Sequence, residues 1–343
     1  MDTPRYEFSK SEIQRNYKYI SKRLPLCKLF YAMKANGNEK VLKVIKETGA
    51  GIECASKYEF DCTRRVGANV TNLIFGLPVK TVETILYTYE NGCRYYVFDC
   101  LNELHKLKKY APDAKRILRI KISDLVVSSI NYGMPLQEIA DNLEEIKESI
   151  HGISFHISYN NNIRSIQDVG KRIDELMEQL ECKGKNYIIN IGGGYKPDTD
   201  DEFYDVYHNI LTNIQEKYGC VFYAEPGNII VETAGFFYAK VISVKKTENS
   251  TIVYMDGGIP NGIGYETFLG DIENCSRSSN SQNELKVYEF RDCTNLNETL
   301  IRVQSKYDIE IGDIIKFDHL GAYSIVFQNH FHMWEQCRVD IVE

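Results

Sequence analysis

Apolar residues show two different kinds of spacing along the first two thirds of the chain. Short apolar runs alternate with longer segments in which apolar residues recur every three or four positions. The short runs predict eight buried strands, at residues 28–34, 50–56, 72–76, 95–100, 116–122, 152–158, 187–193 and 220–227. The longer segments predict helices, and several of them end at a glycine, the usual residue at a helix C-terminus.

Eight strand–helix units in succession predict an α/β fold, the (β/α)8 TIM-type barrel. A doubly wound sheet with fewer strands is the alternative that the same pattern leaves open. After residue 230 the pattern changes, because "GFFYAKVISVKKT", "TIVYMDGG" and "DIIKFDHLGAYS" are strand-like and no long helical segment separates them. We therefore expect a barrel over residues 28–230 and a β-rich domain made of residues 1–27 and 231–343, with an all-β C-terminal part.

Charge and composition argue against several classes of partner. The net charge of −7 and the pI of about 5.7 argue against nucleic acid or an anionic membrane surface as the main partner. No apolar run approaches the length of a membrane span, and the polar N-terminus lacks the apolar core of a signal peptide, so we expect a cytoplasmic protein. The ten cysteines include no C-x-x-C pair, which argues against a zinc site, and we expect them to be reduced thiols.

One lysine stands where an apolar strand should end. Lys34 closes the run "KLFYAMK", and a lysine is almost never fully buried without a partner. Burial disfavours the charged form of the amine. Two interpretations follow: the side chain extends from the strand end into water, or its amine takes part in a reaction.

Three further features come at the ends of predicted strands. His156 lies near the end of the sixth strand, Gly192–Gly194 end the seventh, and Glu225 ends the eighth. Taken singly, a strand histidine is usually a core residue, a run of glycines a turn, and a glutamate before Pro-Gly a loop carboxylate. In a TIM-type barrel these strand ends meet at one rim, where such barrels carry their active sites.

An amine, an imidazole, bare backbone and a carboxylate on one rim suit the cofactor pyridoxal phosphate. The amine forms a Schiff base with the aldehyde of the cofactor, and glycine N–H groups can approach phosphate oxygens closely. The imidazole can stack on the pyridine ring. The carboxylate can keep the ring nitrogen protonated, so that the ring withdraws electrons.

The sequence resembles the ornithine/diaminopimelate/arginine decarboxylase family, whose members are pyridoxal phosphate enzymes with an alanine-racemase-like barrel and a C-terminal β domain. Eight motifs carry the resemblance, in the family's order and from residue 31 to residue 331. They are "YAMKAN" with Lys34, "GIECASKYE" with Glu53 and Glu59, "LRI" with Arg119, "SFH" with His156, "IGGGY", "AEPG" with Glu225, "DCTNL" with Cys293, and "GAYSIVFQNHF" with Tyr323 and Phe331.

The resemblance implies a role for each matching residue. Lys34 would carry the cofactor as an internal aldimine, His156 would stack on its ring, and Glu225 would bond the pyridine nitrogen. Cys293 of the partner subunit would be the catalytic acid that returns a proton to Cα after CO2 leaves, and Phe331 would line the site. The family therefore implies a homodimer with shared active sites. The other residues that would bind the cofactor are Glu53, Arg119, Gly193, Gly194, Gly227, Asn228 and Tyr323.

Decarboxylation is the chemistry that Glu225 favours. A carboxylate beside the ring nitrogen keeps that nitrogen protonated, and the protonated ring spreads the charge left at Cα by loss of CO2 as a quinonoid. An arginine in that place, as in alanine racemases, would not do so. We therefore expect an amino-acid decarboxylase rather than a racemase.

Two departures from the family concern the phosphate. Asn228 stands where the family has the arginine of "EPGR", and Ser158 and Tyr159 stand where a glycine and a phosphate-binding serine are expected. Loss of a charge-assisted contact predicts weaker or rearranged cofactor binding. These departures keep a second function open, that of a non-catalytic homologue without cofactor, a regulatory or binding protein akin to the family's antizyme inhibitors.

A third departure concerns the substrate. Thr294 follows Cys293 where the family usually has an acidic residue that meets the distal ammonium group of the substrate. A neutral hydroxyl cannot supply that charge-assisted bond. Asp292, Glu298 or a residue of "DGGIPNG" could supply the charge instead. Otherwise we expect an unusual small-molecule amino acid as the substrate, or one attached to a larger carrier. Its polar distal group could then be met by Thr294, Tyr265 and the segment Asn295–Asn297.

Overall fold

The structure is a computed structural model that describes residues 2–122, 132–157, 163–182, 186–264, 271–278, 284–292 and 294–343. The chain divides into two compact units. The barrel unit comprises Tyr17–Lys34 and Ile45–Ile229, and the sheet unit comprises Met1–Asn16, Ala35–Val44 and Ile230–Glu343. The boundaries expected at residues 28 and 231 for independent domains stay a prediction.

Strands and helices cover most of the described chain. The strands are β1 (Arg5–Ser9), β2 (Cys27–Ala32), β3 (Gly51–Cys54), β4 (Leu73–Phe75), β5 (Tyr95–Phe98), β6 (Lys115–Arg119), β7 (Gly152–Ser154), β8 (Ile188–Asn190), β9 (Val221–Ala224), β10 (Gly235–Lys246), β11 (Thr251–Met255), β12 (Ile272–Asn274), β13 (Lys286–Arg291), β14 (Thr299–Ser305), β15 (Ile314–Phe317) and β16 (Arg338–Val342). The helices are α1 (Lys10–Arg23), α2 (Glu39–Glu47), α3 (Lys57–Arg65), α4 (Val82–Glu90), α5 (Leu101–Tyr110), α6 (Leu136–Asp141), α7 (Leu143–Ser149), α8 (Ile163–Gln179), α9 (Asp201–Tyr218) and α10 (Asn228–Val231). None of these helices combines the length and the apolar composition that crossing a membrane requires.

Strands β2–β9 form a closed parallel barrel. Each strand pairs with the next one along the chain, and β9 returns to β2, where Leu29 lies opposite Ala224. The TIM-type barrel predicted from the sequence is therefore confirmed, and each of its eight strands overlaps its predicted range. Because the strands are parallel, their carboxyl ends all meet at one rim.

Bulky side chains and well-placed glycines explain how the barrel closes. A cluster of buried side chains fills its interior, made of Phe30, Ile74, Val97, Ile117, Ile188 and Tyr223. Strand β7 begins with Gly152, where a Cβ would lie 2.3 Å from the carbonyl oxygen of Ile188 on β8. Any larger residue would push the two strands apart, so this position requires glycine.

The sheet unit is built around one eight-stranded mixed sheet. Its central path runs β12-β15-β10-β11-β13-β14, while β1 pairs with both β10 and β16. Aromatic side chains pack across the strands, with the ring of Phe317 centred 6.3 Å from Phe237 and 5.2 Å from Phe290. The all-β character expected of the C-terminal part of the chain is confirmed.

Candidate active site

Five of the residues singled out in the sequence lie at or beside the carboxyl ends of barrel strands. They are Lys34 in a turn after β2, Glu53 in β3, Arg119 at the end of β6, His156 after β7 and Glu225 after β9. The side chain of Lys34 is exposed, which agrees with the first of its two interpretations and does not exclude the second. Its charge acts on Glu53, Glu59 and His156. The rim therefore brings an amine close to carboxyl groups and an imidazole.

Glu225 belongs to a closed ring of hydrogen bonds. Its Oε1 accepts a bond of 2.5 Å from Nδ2 of Asn190, which is fully buried at the end of β8. Oδ1 of Asn190 accepts a bond of 3.0 Å from the N–H of Gly192. The carbonyl of Gly192 in turn accepts a bond of 2.7 Å from the N–H of Glu225. The ring fixes the carboxylate to the backbone of the glycine-rich loop.

His156 is held as a neutral ring beside the same loop. Its Nδ1 accepts a hydrogen bond of 3.2 Å from the N–H of Gly193. Burial, together with the charges of Arg119 and Lys34, lowers the pKa of His156 to about 3. The ring is therefore uncharged at neutral pH, and Nδ1 is the nitrogen that carries no proton.

The glycines of the loop are needed for close approach. Gly192 has a φ of +73°, and a Cβ there would lie 2.6 Å from the carbonyl oxygen of Phe155. A Cβ on Gly193 would lie 2.3 Å from the carbonyl oxygen of Glu225. Any side chain would collide with backbone at these positions, so the loop leaves bare backbone along this part of the rim. Gly194, with a φ of +90°, continues the loop.

Glu53 and Arg119 are two ionisable groups whose pKa values depend on each other and on Glu225. Glu53 is buried, and burial together with the charge of Glu225 raises its pKa to about 8. Burial lowers the pKa of Arg119, while the charges of Glu225 and Glu53 oppose that shift. Nη1 of Arg119 donates a long hydrogen bond of 3.4 Å to Oγ of Ser154. Glu53 is therefore largely protonated at neutral pH, which limits the negative charge beside Glu225.

Glu59, the other acid of the motif that contains Glu53, stands in the first turn of helix α3. Its Oε2 accepts a hydrogen bond of 2.5 Å from the N–H of Ala55, and its own N–H donates a bond of 3.1 Å to Oγ of Ser56. Ser56 is the N-cap of α3. The carboxylate of Glu59 thus fixes the turn between β3 and α3.

Asn228 carries a buried polar atom without a partner. It begins α10, next to the buried Gly227, and its Oδ1 makes no hydrogen bond among the described residues. A buried amide oxygen normally has a partner, so this group is open to one. If the amide is turned by 180°, Nδ2 takes the same place as a donor. The two residues expected on the neighbouring phosphate position, Ser158 and Tyr159, lie outside the described residues.

The remaining candidates belong to the sheet unit or lie outside the described residues. Tyr323 has a φ of +49° and donates its N–H to the carbonyl of Ala35 over 2.9 Å. Phe331 is 40% exposed, with its ring stacked on His332. Asn295 is exposed. Cys293 and Tyr265 are not among the described residues.

The hydroxyl of Thr294, which the sequence analysis places next to the proposed catalytic cysteine, makes hydrogen bonds to nearby residues of the chain. It is buried, its Oγ1 donates a hydrogen bond of 2.7 Å to Oδ2 of Asp292, and it also accepts one of 3.2 Å from the N–H of Leu296. The other oxygen of Asp292, Oδ1, is buried without a partner among the described residues. The hydroxyl of Thr294 thus holds together the turn between β13 and β14.

Sequence reasoning missed two residues of the rim, Asn190 and Gly76. Asn190 is a polar residue at the end of the apolar run "YIIN", just as Lys34 is at the end of "KLFYAMK". A polar residue in this position is the sequence signal that could have identified it. Gly76 follows β4, and a Cβ there would lie 2.1 Å from Oε1 of Glu53. No local signal distinguishes this glycine from an ordinary turn residue.

The described residues fit pyridoxal phosphate. The glycine-rich loop offers backbone that a Cβ would obstruct, and Oδ1 of Asn228 is buried without a hydrogen bond from the described part of the chain. Glu225 offers a fixed hydrogen-bond acceptor for a protonated ring nitrogen, and Lys34 offers an exposed amine. A donor, an acceptor and bare backbone are the three features that the cofactor's aldehyde, ring and phosphate require.

Comparisons with known proteins agree with this geometry. Residues 10–239 match the sequence model of the pyridoxal-dependent decarboxylases, pyridoxal binding domain. Ornithine decarboxylase of Saccharomyces cerevisiae is 26% identical over 96% of this chain and 78% of its own. Antizyme inhibitor 2 of Xenopus laevis is 27% identical over the same shares, 96% and 78%. The arginine decarboxylase of Paramecium bursaria Chlorella virus, solved bound to agmatine, has the same fold, with a TM-score of 0.89 at 23% identity over 99% of this chain and 96% of that one.

Proposed function

Because this chain belongs to the family of pyridoxal-dependent decarboxylases and is an amino-acid carboxy-lyase, we propose that the barrel rim around Lys34 and Glu225 carries out the reaction. The observation that supports this site most directly is the ring of hydrogen bonds that holds the carboxylate of Glu225 on the rim that also bears the exposed amine of Lys34. When bound, pyridoxal phosphate supplies a protonated ring that takes up the electron pair left by the departing CO2.

Each rim residue has a task that follows from its chemistry. The Nζ of Lys34 would hold the cofactor through its aldehyde group. Glu225 would accept a hydrogen bond from the ring nitrogen and so favour the protonated ring. His156 presents a neutral imidazole face for stacking, because its charged form is disfavoured there. Gly193, Gly194, Gly227, Asn228 and Tyr323 are proposed to bind the phosphate, with Glu53 and Arg119 behind the ring.

Protonation of the product is assigned to Cys293. We propose that the partner subunit's Cys293 donates a proton to Cα, so that the enzyme acts as a homodimer with shared sites. The hydrogen bond between Thr294 and Asp292 supports this role, because it joins the two residues that flank Cys293 in the sequence. We also propose a cytoplasmic location, where the nine cysteines of the described chain, all free thiols, would stay reduced.

The substrate is proposed to differ from a simple diamino acid. Thr294 is neutral and its hydroxyl is already bonded to Asp292, so position 294 offers no charge to a distal ammonium group. Phe331 and the exposed Asn295 remain candidates to contact the distal part of the substrate. An unusual amino acid, or one linked to a carrier, fits such a surface.

A non-catalytic role is the second candidate. The identity of 27% to an antizyme inhibitor favours it, and so does the neutral amide of Asn228, which stands in place of a charged phosphate ligand. Such a protein would bind no cofactor and would regulate or bind another protein. The retention of Lys34, His156 and Glu225 on one rim favours the enzyme.

One experiment distinguishes the decarboxylase from the non-catalytic protein. The purified protein is incubated with pyridoxal phosphate, reduced with borohydride and digested, and the pyridoxyl adduct is located by mass spectrometry. The enzyme is expected to carry the adduct on Lys34 and to lose it in Lys34→Ala. Lys28→Ala, which removes another lysine from the same chain segment, is expected to keep it. An adduct elsewhere, or none, would refute the proposed site.

Turnover is tested in parallel. Release of CO2 from a panel of amino acids, including ornithine, lysine and arginine, identifies the substrate. Glu225→Ala is expected to retain part of its cofactor and to lose most of its turnover, because the ring nitrogen loses its acceptor. Full activity in that variant would contradict the role of Glu225.

A further inference from the structure

A cavity lies at the amino ends of the barrel strands, opposite to the rim. Its volume is about 420 Å³, and the residues that line it stand at or just before the starts of β6, β7 and β8. Backbone hydrogen bonds join these starts, since the N–H of His151 donates to the carbonyl of Arg116 over 2.8 Å and the N–H of Ile188 donates to that of His151 over 3.0 Å. A cavity of this size accommodates a small organic molecule.

The polar side of the cavity presents hydrogen-bond donors. Lys115 is exposed at the start of β6 and has no carboxylate partner among the described residues. Nδ1 of His151 accepts a hydrogen bond of 3.3 Å from the N–H of Arg116, so the proton of the neutral ring is on Nε2, which is left as a donor. The exposed side-chain amide of Asn186 can donate as well. An ammonium group beside neutral N–H donors is suited to binding an anion.

The charges that act on His151 have the sign that an anion requires. Burial, together with the positive charges of Lys115 and Arg116, lowers the pKa of His151 to about 4. The ring is therefore neutral at pH 7, and the charge around it is positive. An anion beside Nε2 would be attracted by the same charges that disfavour protonation of the ring.

The other charged residues of the cavity leave Lys115 as the cation for a ligand. Nζ of Lys147 lies 2.6 Å from Oε1 of Glu181 and 3.7 Å from Oε1 of Glu144, so its charge is already paired. Glu148 also lines the cavity, but it is exposed, and water screens its charge.

The remaining wall of the cavity is apolar. Ile150 and Ile188 are both buried, and Ile188 belongs to the cluster that fills the barrel interior. This wall can take up the apolar body of a ligand, and such burial is favourable because it removes apolar surface from water.

From this arrangement we propose that the cavity binds a small organic anion. Its phosphate or carboxylate group meets Lys115, Nε2 of His151 and the amide of Asn186, and its apolar body lies against the isoleucines. The chain as a whole carries a net charge of −7 and repels anions, so binding depends on this local group of donors. The site does not depend on the function proposed for the rim, because it lies at the other ends of the strands.

Isothermal titration calorimetry of the purified protein at pH 7 tests this with four probes. Phenyl phosphate and benzoate combine an anionic group with an aromatic ring, benzyl alcohol has the ring alone, and inorganic phosphate has the anionic group alone. We expect at least one of the aromatic anions to bind more tightly than both benzyl alcohol and inorganic phosphate. The tighter of the two identifies the anionic group that the site prefers.

Three variants locate the binding. Lys115→Met removes the charge and should weaken binding of the aromatic anion on the order of tenfold, the effect of losing a charge-assisted hydrogen bond. His151→Asn keeps an acceptor for the N–H of Arg116 and removes the donor at Nε2, which should weaken binding about threefold. Lys109→Met is the matched control, because it removes the same charge from an exposed lysine of α5 and should keep the parental affinity.

Two results would overturn the proposal. One is the absence of binding of both aromatic anions at millimolar concentration. The other is parental affinity in Lys115→Met, which would place the anion elsewhere on the protein, the rim included. Because Lys115 is exposed, this variant should fold, and urea unfolding checks that it does. Lys115→Gln, a second neutral replacement, should weaken binding by a similar factor.

Discussion

The carboxyl group of Glu53 lies against the bare backbone of Gly76. A Cβ built on Gly76 would come within 2.1 Å of Oε1, 2.8 Å of Cδ and 2.9 Å of Cγ of Glu53. The two residues sit at the ends of neighbouring strands, β3 and β4. The absent side chain at one position thus makes room for the long acid at the other.

Gly76→Ala is expected to displace Glu53. Overpacking of a buried site costs about 1–3 kcal/mol, so urea unfolding should show a loss of stability in this range. Cofactor affinity should fall as well, because Glu53 belongs to the proposed cofactor site. The double variant Gly76→Ala/Glu53→Asp shortens the acid by one carbon and should recover stability. A double variant less stable than Gly76→Ala would contradict the contact.

The raised pKa of Glu53 predicts how the cofactor-free protein responds to pH. Burial and the charge of Glu225 raise this pKa from 4.5 to about 8, so between these values the folded protein holds a proton that the unfolded chain has lost. The contribution of Glu53 to the unfolding free energy is therefore present in acid and is lost as pH rises toward 8. We expect Glu53→Gln to gain stability relative to the parent between pH 5.5 and 8. An unchanged difference would show that Glu53 is ionised throughout.

The pKa of His156 predicts the opposite pH dependence of stability, a loss as pH falls. Burial lowers its pKa from 6.5 to about 3, so the unfolded chain takes up a proton below pH 6.5 and the folded protein does not. Its contribution to stability is complete above pH 6.5 and is lost as pH falls toward 3, with a slope of up to about 1.4 kcal/mol per pH unit. We expect the parent to lose more stability than His156→Gln between pH 7 and 5. Equal losses would contradict a neutral buried ring.

Lys80 forms a buried polar centre next to the rim. Its Nζ donates to the carbonyls of Leu77, Pro78 and Val97 over 3.0, 2.7 and 2.6 Å, and lies 3.6 Å from Oε2 of Glu103. Burial lowers the pKa of Lys80 to about 8, which leaves it mostly charged at pH 7.

Removal of Lys80 alone should be costly. Lys80→Met would leave Oε2 of Glu103 without a cation, while Oε1 keeps its ion pair with Lys106. Loss of one partner of a buried ion pair costs about 3–5 kcal/mol when the other charge is left alone, so we expect a loss at or below the lower end of this range in urea unfolding. Lys80→Met/Glu103→Leu should recover most of that loss, because neither charge is then buried alone. A double variant as unstable as the single one would show that the carbonyl bonds of Lys80, and not the ion pair, carry the stability.

The turn around Thr294 can be tested without a substrate. Thr294→Val removes the donor to Asp292 and leaves that buried carboxylate without its partner, which should cost about 1–3 kcal/mol in urea unfolding. Thr294→Ser keeps the hydroxyl and should restore most of the stability. If Thr294→Val and Thr294→Ser have the same stability in urea, the hydrogen bond to Asp292 does not hold the turn.

Much of the fold was predictable because it depends on local patterns. The apolar runs placed all eight barrel strands, and their order along the chain implied the common rim on which Lys34, His156 and Glu225 stand. The expectation for Thr294 was less complete. Its polarity was evident, whereas its bond to Asp292 depends on how the turn folds.

The sequence by itself determined the barrel, the rim and the family. Strand periodicity and motif order are properties of the linear chain, and they can be recognised without knowing how the side chains pack. Only the tertiary structure decided what surrounds the reactive groups. Asn190 meets Glu225, and Gly76 meets Glu53, across strand ends that are far apart in the chain. Burial and charge at these contacts, rather than residue type, decide which acid keeps its proton, and no linear pattern records distances between strands.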